Sequence, residues 1–427
     1  MYSKATTAAL ATLLALGHAQ EIGKQDAETH PKITWQRCTG PNKCSNVNGE
    51  LVIDSNWRWT HVVDGYQNCY DGNDWNKTAC PDANTYTKNC AIEGADYSGT
   101  YGVSTSGNAV TMKFRNKHQY GVNIRSRLYL INGANKYQMF TANGNEIAFD
   151  VENANLGYGL NGAVYFMSID ENGGKSRYSS NKAGAKYGTG YCDSQYARDL
   201  KWVGGKANEA NSMSFALTPH PCKKDGYFVC KTKDCGGTYS EDRYSGSCDP
   251  DGCNLNPFRH GNTDFYGTGK TIDTSKKFTV VTQFHGSGTS LTSLSQYFIQ
   301  NGKKFEVPKS KYMSGGSTID AGFCDAAKDL FKDNKQFQEM GGLKTMGQAT
   351  GKPMVLVLSV WDDAYANMLW LDGERYPLDR AASEPGVARG ECDVNGSKPD
   401  QVREKFKNAK VTYSNFKFGP VGSTYNL

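Results

Sequence analysis

Aromatic side chains recur beside groups that can hydrogen-bond a sugar: Trp57 and Trp59, Tyr165, Tyr191 with Asp193 and Gln195, Trp361 and Trp370. A flat indole covers the apolar C–H face of a pyranose ring, while Asp, Gln and Arg groups bind its hydroxyls. Such a set suits a polysaccharide cleft; the alternative is that the same rings are core aromatics. A second pattern with chemical content is Cys230 and Cys235, then Cys248 and Cys253, which reads C-x4-C, twelve residues, C-x4-C. In a reducing compartment this spacing suggests zinc, and in an oxidising one disulfides. No other metal-ligating cluster and no phosphate-cradling glycine loop ahead of a helix is evident, so no cofactor and no metal are expected.

The N-terminus bears on that choice. Lys4 gives a positive start, Ala8 to Leu16 an apolar run, and Gly17 and Ala19 small residues at cleavage spacing. Residues 1–19 therefore read as a signal peptide rather than a short buried helix, and the chain as secreted and extracellular. The sequons at Asn76 and Asn395 agree with secretion. Disulfides are then the expected fate of the cysteines. Their number, 13, is odd, so at least one thiol lacks an intramolecular partner.

The elements that would position these groups are mostly strands. With 47 Gly against 13 Pro and aromatics at 12%, turns are plentiful and helix-favouring stretches scarce. Residues 110–114, 146–151, 163–169, 278–284, 354–361 and 411–418 are short, β-branched or aromatic, and mostly bounded by Gly, Asn or Asp. Only 325–331 and parts of 334–348 look helical. Strands spread along the whole chain predict an all-β fold of two packed antiparallel sheets. No linker or repeat follows residue 20, so 20–427 is expected to be one domain and a monomer. Net charge is only +5, with no single-sign block, which argues against nucleic acid. The sole long apolar run is N-terminal, which excludes a polytopic membrane protein.

Longer motifs are more specific. Residues 187–195 read YGTGYCDSQ, 217–222 LTPHPC, 235–240 CGGTYS, 248–253 CDPDGC and 361–363 WDD. In these the chain resembles fungal glycoside hydrolase family 7, over about Glu28 to Thr424. The resemblance implies a β-jelly-roll of two curved sheets with long loops, holding a cellulose chain or cello-oligosaccharide and hydrolysing β-1,4-glucosidic bonds with retention. Arg243 to Arg259 and Trp361 to Tyr376 look like the cellobiohydrolases of that family rather than its open-cleft endoglucanases. No cellulose-binding module is expected after the last strand. Carried over by motif, Trp57 and Trp59 are entrance platforms, and Trp361 and Trp370 serve the central and product side. Tyr165, Tyr191, Asp193, Gln195 and Lys201 fall where the family binds glucosyl hydroxyls. Arg243, Asp251, Arg259 and Arg389 take product-side positions, and His220 supports the acid/base residue.

One departure matters for catalysis. Retaining glycosidases need two carboxyl groups about 5 to 5.5 Å apart. The family supplies them from a strand reading Glu-x-Asp-x-x-Glu-Ala-Asn-Ser, whose first Glu is the nucleophile and last Glu the acid/base. Here Glu209-Ala210-Asn211-Ser212 matches only the acid/base end, and residues 205–208 match a segment the family places well upstream. A few tens of residues that the family has between Asn208 and Glu209 are missing, and with them the nucleophile. Gly204 and Lys206 stand at the vacated positions, and neither attacks as a carboxylate. Rescue by Asp193 or Asp199 would require repositioning a carboxylate.

The cysteines fit the same picture. By resemblance, Cys38 pairs with Cys44, Cys69 with Cys90, Cys222 with Cys248, Cys230 with Cys235 and Cys253 with Cys324. Cys80, Cys192 and Cys392 are left over. Tyr86 and Tyr158 stand where the family has the partners of Cys80 and Cys392, and the partner of Cys192 falls in the gap; Tyr196 is a further Cys-to-Tyr change. Gly23 and Ala91 replace both halves of another bridge. Since each lost bridge costs roughly 2 to 5 kcal/mol, a weakened fold is expected. The sequence therefore predicts a cellobiohydrolase-like chain that is inactive or impaired; a non-catalytic sugar-binding relative or an endoglucanase is the alternative.

Overall fold

The computed structural model describes residues 20–41, 43–72, 74–79, 81–192, 201–203, 206–207, 219–223, 237 and 242–425. Residues 1–19, and with them the expected signal peptide, lie outside this range.

Period-two alternation assigns the faces of the strands. In Ser126–Asn132, Leu128 and Leu130 enter the main core, while Arg127, Tyr129 and Ile131 point the other way. In Met354–Asp362, Leu356, Leu358 and Val360 join the core, and Val355 and Val357 face the second cluster with Tyr165 and Tyr191. The two strands pair antiparallel with Arg127 opposite Ser359 and Tyr129 opposite Val357. Leu160–Met167 pairs on the other side of Met354–Asp362, Asn161 opposite Trp361 and Tyr165 opposite Val357. One residue of slip would turn Arg127, Tyr165 and Trp361 into the core.

The strand order is Met139–Phe140, Met354–Asp362, Ser126–Asn132, Cys44–Ile53, Lys32–Cys38, Lys410–Pro420, Asn145–Glu152, Phe278–Ser287, Ser290–Gln300, Lys303–Glu306. All six stretches expected to be strands are strands. The two layers are not separate sheets, however. Lys32–Cys38 pairs antiparallel with Cys44–Ile53 and parallel with Lys410–Pro420, so one mixed sheet rolls over on itself. Between the layers, Leu51, Ile53 and Leu358 meet Ile147, Phe149, Phe278, Val280 and Tyr413. Each such burial is worth about 1.5–3 kcal/mol. The helix expected at 325–331 starts earlier, at Ala321–Phe331, because the Asp320 carboxylate caps it by accepting from the Phe323 N–H at 2.7 Å.

Four of the five expected disulfides are present: Cys38–Cys44, Cys69–Cys90, Cys222–Cys248 and Cys253–Cys324. Cys248 and Cys253 thus have partners outside the zinc-like spacing, which overturns a four-cysteine metal site. Cys80, Cys230 and Cys235 lie outside the described residues. Where bridges are lost, packing takes over. Tyr86 is buried against Trp75, their rings 4.4 Å apart, and Tyr158 packs edge-on to Phe406 at 5.4 Å. At Gly23 the space of the missing bridge is filled by Glu93: a Cβ there would lie 1.7 Å from Glu93 Oε1. That carboxylate accepts from the Gln25 and Asp26 N–H groups at 3.1 and 3.0 Å and lies 2.7 Å from His61 Nε2, tying the N-terminal strap down.

Candidate active site

In the segment Trp57-Arg58-Trp59, the expected entrance, the side chains alternate. Arg58 turns inward and is fully buried, leaving both tryptophans partly exposed. Glu28 receives Arg58 on both oxygens, at 2.5 and 2.9 Å, together with the Tyr97 hydroxyl at 2.6 Å. Burial alone would raise the Glu28 carboxyl, but the bonds from Arg58, His30 and Tyr97 hold it at about 2. The Trp57 indole N–H donates to the Ile124 carbonyl at 3.3 Å, and that of Trp59 to Asn68 Oδ1 at 2.8 Å. Lys201 anchors beside them, its ammonium 3.0 Å from the Arg58 carbonyl.

Deeper in, Tyr165 and Tyr191 bring their hydroxyls within 3.2 Å of each other. Arg127 lies between these rings and the entrance, 3.3 Å over the Tyr191 ring and 5.3 Å over that of Trp57. Its Nε donates to Asp54 at 2.8 Å, but Nη2 is buried without a hydrogen-bond partner. An unpaired buried guanidinium N–H is a donor able to take an acceptor such as a hydroxyl. Sequence reasoning missed Arg127, because within SRLYLIN it looks like an ordinary strand residue.

Among the residues expected at the product side, Trp361 and Trp370 stand 6.1 Å apart, and the Trp370 indole N–H donates to Asp363 at 2.8 Å. Arg243 grips Asp251 at 2.9 Å, and the Tyr244 hydroxyl adds a bond to the second Asp251 oxygen at 2.7 Å. Burial opposes ionisation of Asp251, yet Arg243, Lys328 and Tyr244 outweigh it and keep the carboxyl below its usual range. Arg259 is tied to Asp333 at 2.8 Å and packs over Phe331. Arg389 reaches the Trp370 carbonyl at 3.4 Å and lies over Tyr376. Burial and the neighbouring Arg259 charge push Arg389 down, though a guanidinium at neutral pH stays protonated.

His220 lies 2.8 Å, through Nδ1, from the Asp249 carbonyl, which can only accept. Nδ1 therefore carries the proton, and the ring is fixed at the cavity wall. Glu209, Asp193 and Gln195 lie outside the described residues. The described candidates fall into two groups, with Tyr191 and Trp361 buried outside the cavity lining. His220, Arg243, Asp251, Arg259, Trp370 and Arg389 border a cavity of about 1910 Å³ that also reaches Tyr165, whereas Trp57, Trp59 and Lys201 cluster beyond it. Partly exposed aromatic rings in one group and fixed cationic and aromatic groups in the other are the kinds of side chain that hold a polymeric sugar.

The model of glycosyl hydrolase family 7 matches residues 22–210 and 208–425. The chain belongs to this family. Among solved family 7 structures, it is similar to the cellobiohydrolase of Melanocarpus albomyces complexed with cellotetraose, at 50% identity and TM-score 0.89, covering 96% of this chain and 100% of that one. A family 7 cellobiohydrolase from Daphnia pulex matches at 40% identity and TM-score 0.90, over 95% and 100% of the two chains. Endoglucanase I complexed with cellobiose is more distant, at 33% identity and TM-score 0.78, over 95% and 100%. The family membership, the jelly-roll and the cellobiohydrolase-like character expected from sequence are thus established, without any bearing on a fungal source.

Proposed function

We propose that this chain is a secreted, monomeric family 7 member of cellobiohydrolase type, which holds a cellulose chain between its entrance and product-side groups but hydrolyses it weakly or not at all. Its partners are cellulose and cello-oligosaccharides: the relatives complexed with cellotetraose and cellobiose support this substrate class. Greater identity to cellobiohydrolases than to the endoglucanase supports the exo mode. The disulfides support an extracellular setting.

Glu209 is the acid/base residue in this reading, positioned with the help of His220. The observation behind impaired turnover is the hairpin just before Glu209. Trp202–Val203 pairs with Lys206–Ala207, and Trp202 packs with Cys69, Tyr86 and Cys90 beside the entrance. Lys206 and Ala207 are thereby committed to pairing, and no acidic residue stands between Trp202 and Glu209 in the sequence. The two-part family match, meeting at 208–210, supports a break at the same place. So does the sheet: among the described residues, Leu160–Met167 pairs on one edge only. Among the described cavity carboxylates, Asp170 is engaged by Arg177, Asp251 by Arg243, Asp333 by Arg259, Glu391 by Lys270 and Asp363 by the Trp370 indole N–H, whereas Asp372 keeps one oxygen without a hydrogen-bond partner and is pushed up to about 6 by burial.

Inserting the catalytic-strand segment of the Melanocarpus albomyces enzyme between Asn208 and Glu209 tests the proposal. Cellobiose release from swollen cellulose is expected to rise at least a thousandfold, given the roughly millionfold cost of losing a nucleophile in a protease. Equal release by the unmodified chain would refute it.

A further inference from the structure

Trp59 is the middle ring of a row. His61 stacks on it with centroids 4.2 Å apart and planes 30° from parallel, and Tyr66 with centroids 6.2 Å apart and planes at 27°. His61 is buried at 1% exposure, Trp59 is partly exposed, and Tyr66 is 73% exposed, so the row runs from interior to solvent. The aromatic surface that an incoming chain meets first is therefore the Tyr66 ring.

A tyrosine in water is ordinarily free to rotate away, and this one is held. Its hydroxyl donates to Gln25 Oε1 at 3.0 Å. The Gln25 backbone N–H is bound in turn by the buried Glu93 carboxylate, which also lies 2.7 Å from His61 Nε2. The rings and the strap thus form a closed circuit, Glu93 to His61 to Trp59 to Tyr66 to Gln25 and back to Glu93. An aromatic ring pre-set at low entropic cost is what a stacking contact needs.

We propose that Tyr66 is a sugar-stacking residue that extends the Trp59 platform outward by one ring for a β-1,4-glucan chain, with Gln25 as its positioning residue. The proposal rests on Trp59 itself stacking sugar. The exposed ring supports no core, so Tyr66→Ala is expected to fold normally.

Adsorption to swollen cellulose and calorimetric binding of cellobiose are measured for the full chain and for Trp59→Ala, Tyr66→Ala, Tyr66→Phe and Gln25→Ala. Both alanine variants of the rings are expected to weaken adsorption about three- to tenfold and to leave cellobiose affinity unchanged. Tyr66→Phe and Gln25→Ala, which break one and the same hydrogen bond, are expected to give smaller, equal losses that do not add in the double variant. If Trp59→Ala weakens adsorption and Tyr66→Ala does not, the extension is wrong and the Trp59 platform stands. If neither does, the platform itself is wrong, and the extension falls with it. Additive losses in the double variant would refute the Gln25 tether.

Discussion

Arg58 lies between two partly exposed tryptophans and is itself shut off from solvent, so its charge has to be neutralised from within. Glu28 does this, and removing one partner of a buried pair strands the other, at a cost of about 3–5 kcal/mol. Glu28→Gln is expected to lower the urea midpoint at pH 6 accordingly. The pH dependence has a definite sign. The native carboxyl ionises at about 2 against an ordinary 4.5, so between these values the unfolded chain binds a proton that the native one does not. The stabilisation is complete above pH 4.5 and is lost as pH falls toward 2. The difference between wild type and Glu28→Gln is expected to shrink over that window; a constant difference would mean that Glu28 acts through packing.

At the level of elements, the N-terminal strap replaces a covalent link by a carboxylate filling the space beside a glycine. Gly23→Ala would drive its Cβ into Glu93, displacing the acceptor of two strap N–H groups. A loss of about 1–3 kcal/mol is expected, with proteolysis cutting first within residues 20–30. Unchanged proteolysis would show that Glu93 is not the clamp. The short helix Leu369–Asp372, which includes Trp370, carries a different cost. Burial pushes the Asp372 carboxyl up to about 6 despite a bond from the Gly159 N–H, and Oδ1 has no hydrogen-bond partner. Between 3.8 and about 6 the native state holds a proton that the unfolded state has lost, so stability falls as pH rises through this range. Asp372→Asn is expected to abolish that fall and to gain roughly 2–3 kcal/mol at pH 7, with no gain at pH 4, as read by thermal unfolding at the two pH values.

For the whole molecule, the strands were legible because β-branched and aromatic runs between turn residues record burial locally. The lacing of the layers through Lys32–Cys38 was not, since alternation says which face is buried but not which strand lies alongside. The same limit hid Arg127 and Tyr66. Arg127 meets the Tyr191 and Trp57 rings only through its pairing opposite Ser359, and Tyr66 meets Trp59 only through a turn that folds it back. Trp370 and Arg389, by contrast, were found through motif, and the fold does bring them together. Lost disulfides were legible, but their replacement by Tyr86, Tyr158 and Glu93 depends on contacts far apart in sequence.

On the proposed reading, this family 7 framework keeps its proton donor, Glu209, without the carboxylate that should face it. Rapid-mixing kinetics with an aryl β-cellobioside test it most directly, because a glycosyl-enzyme intermediate releases one equivalent of aglycone in a burst before steady turnover. The expected trace has no burst and a slope close to the uncatalysed rate. A burst approaching one equivalent per chain would demonstrate a working nucleophile and contradict the account.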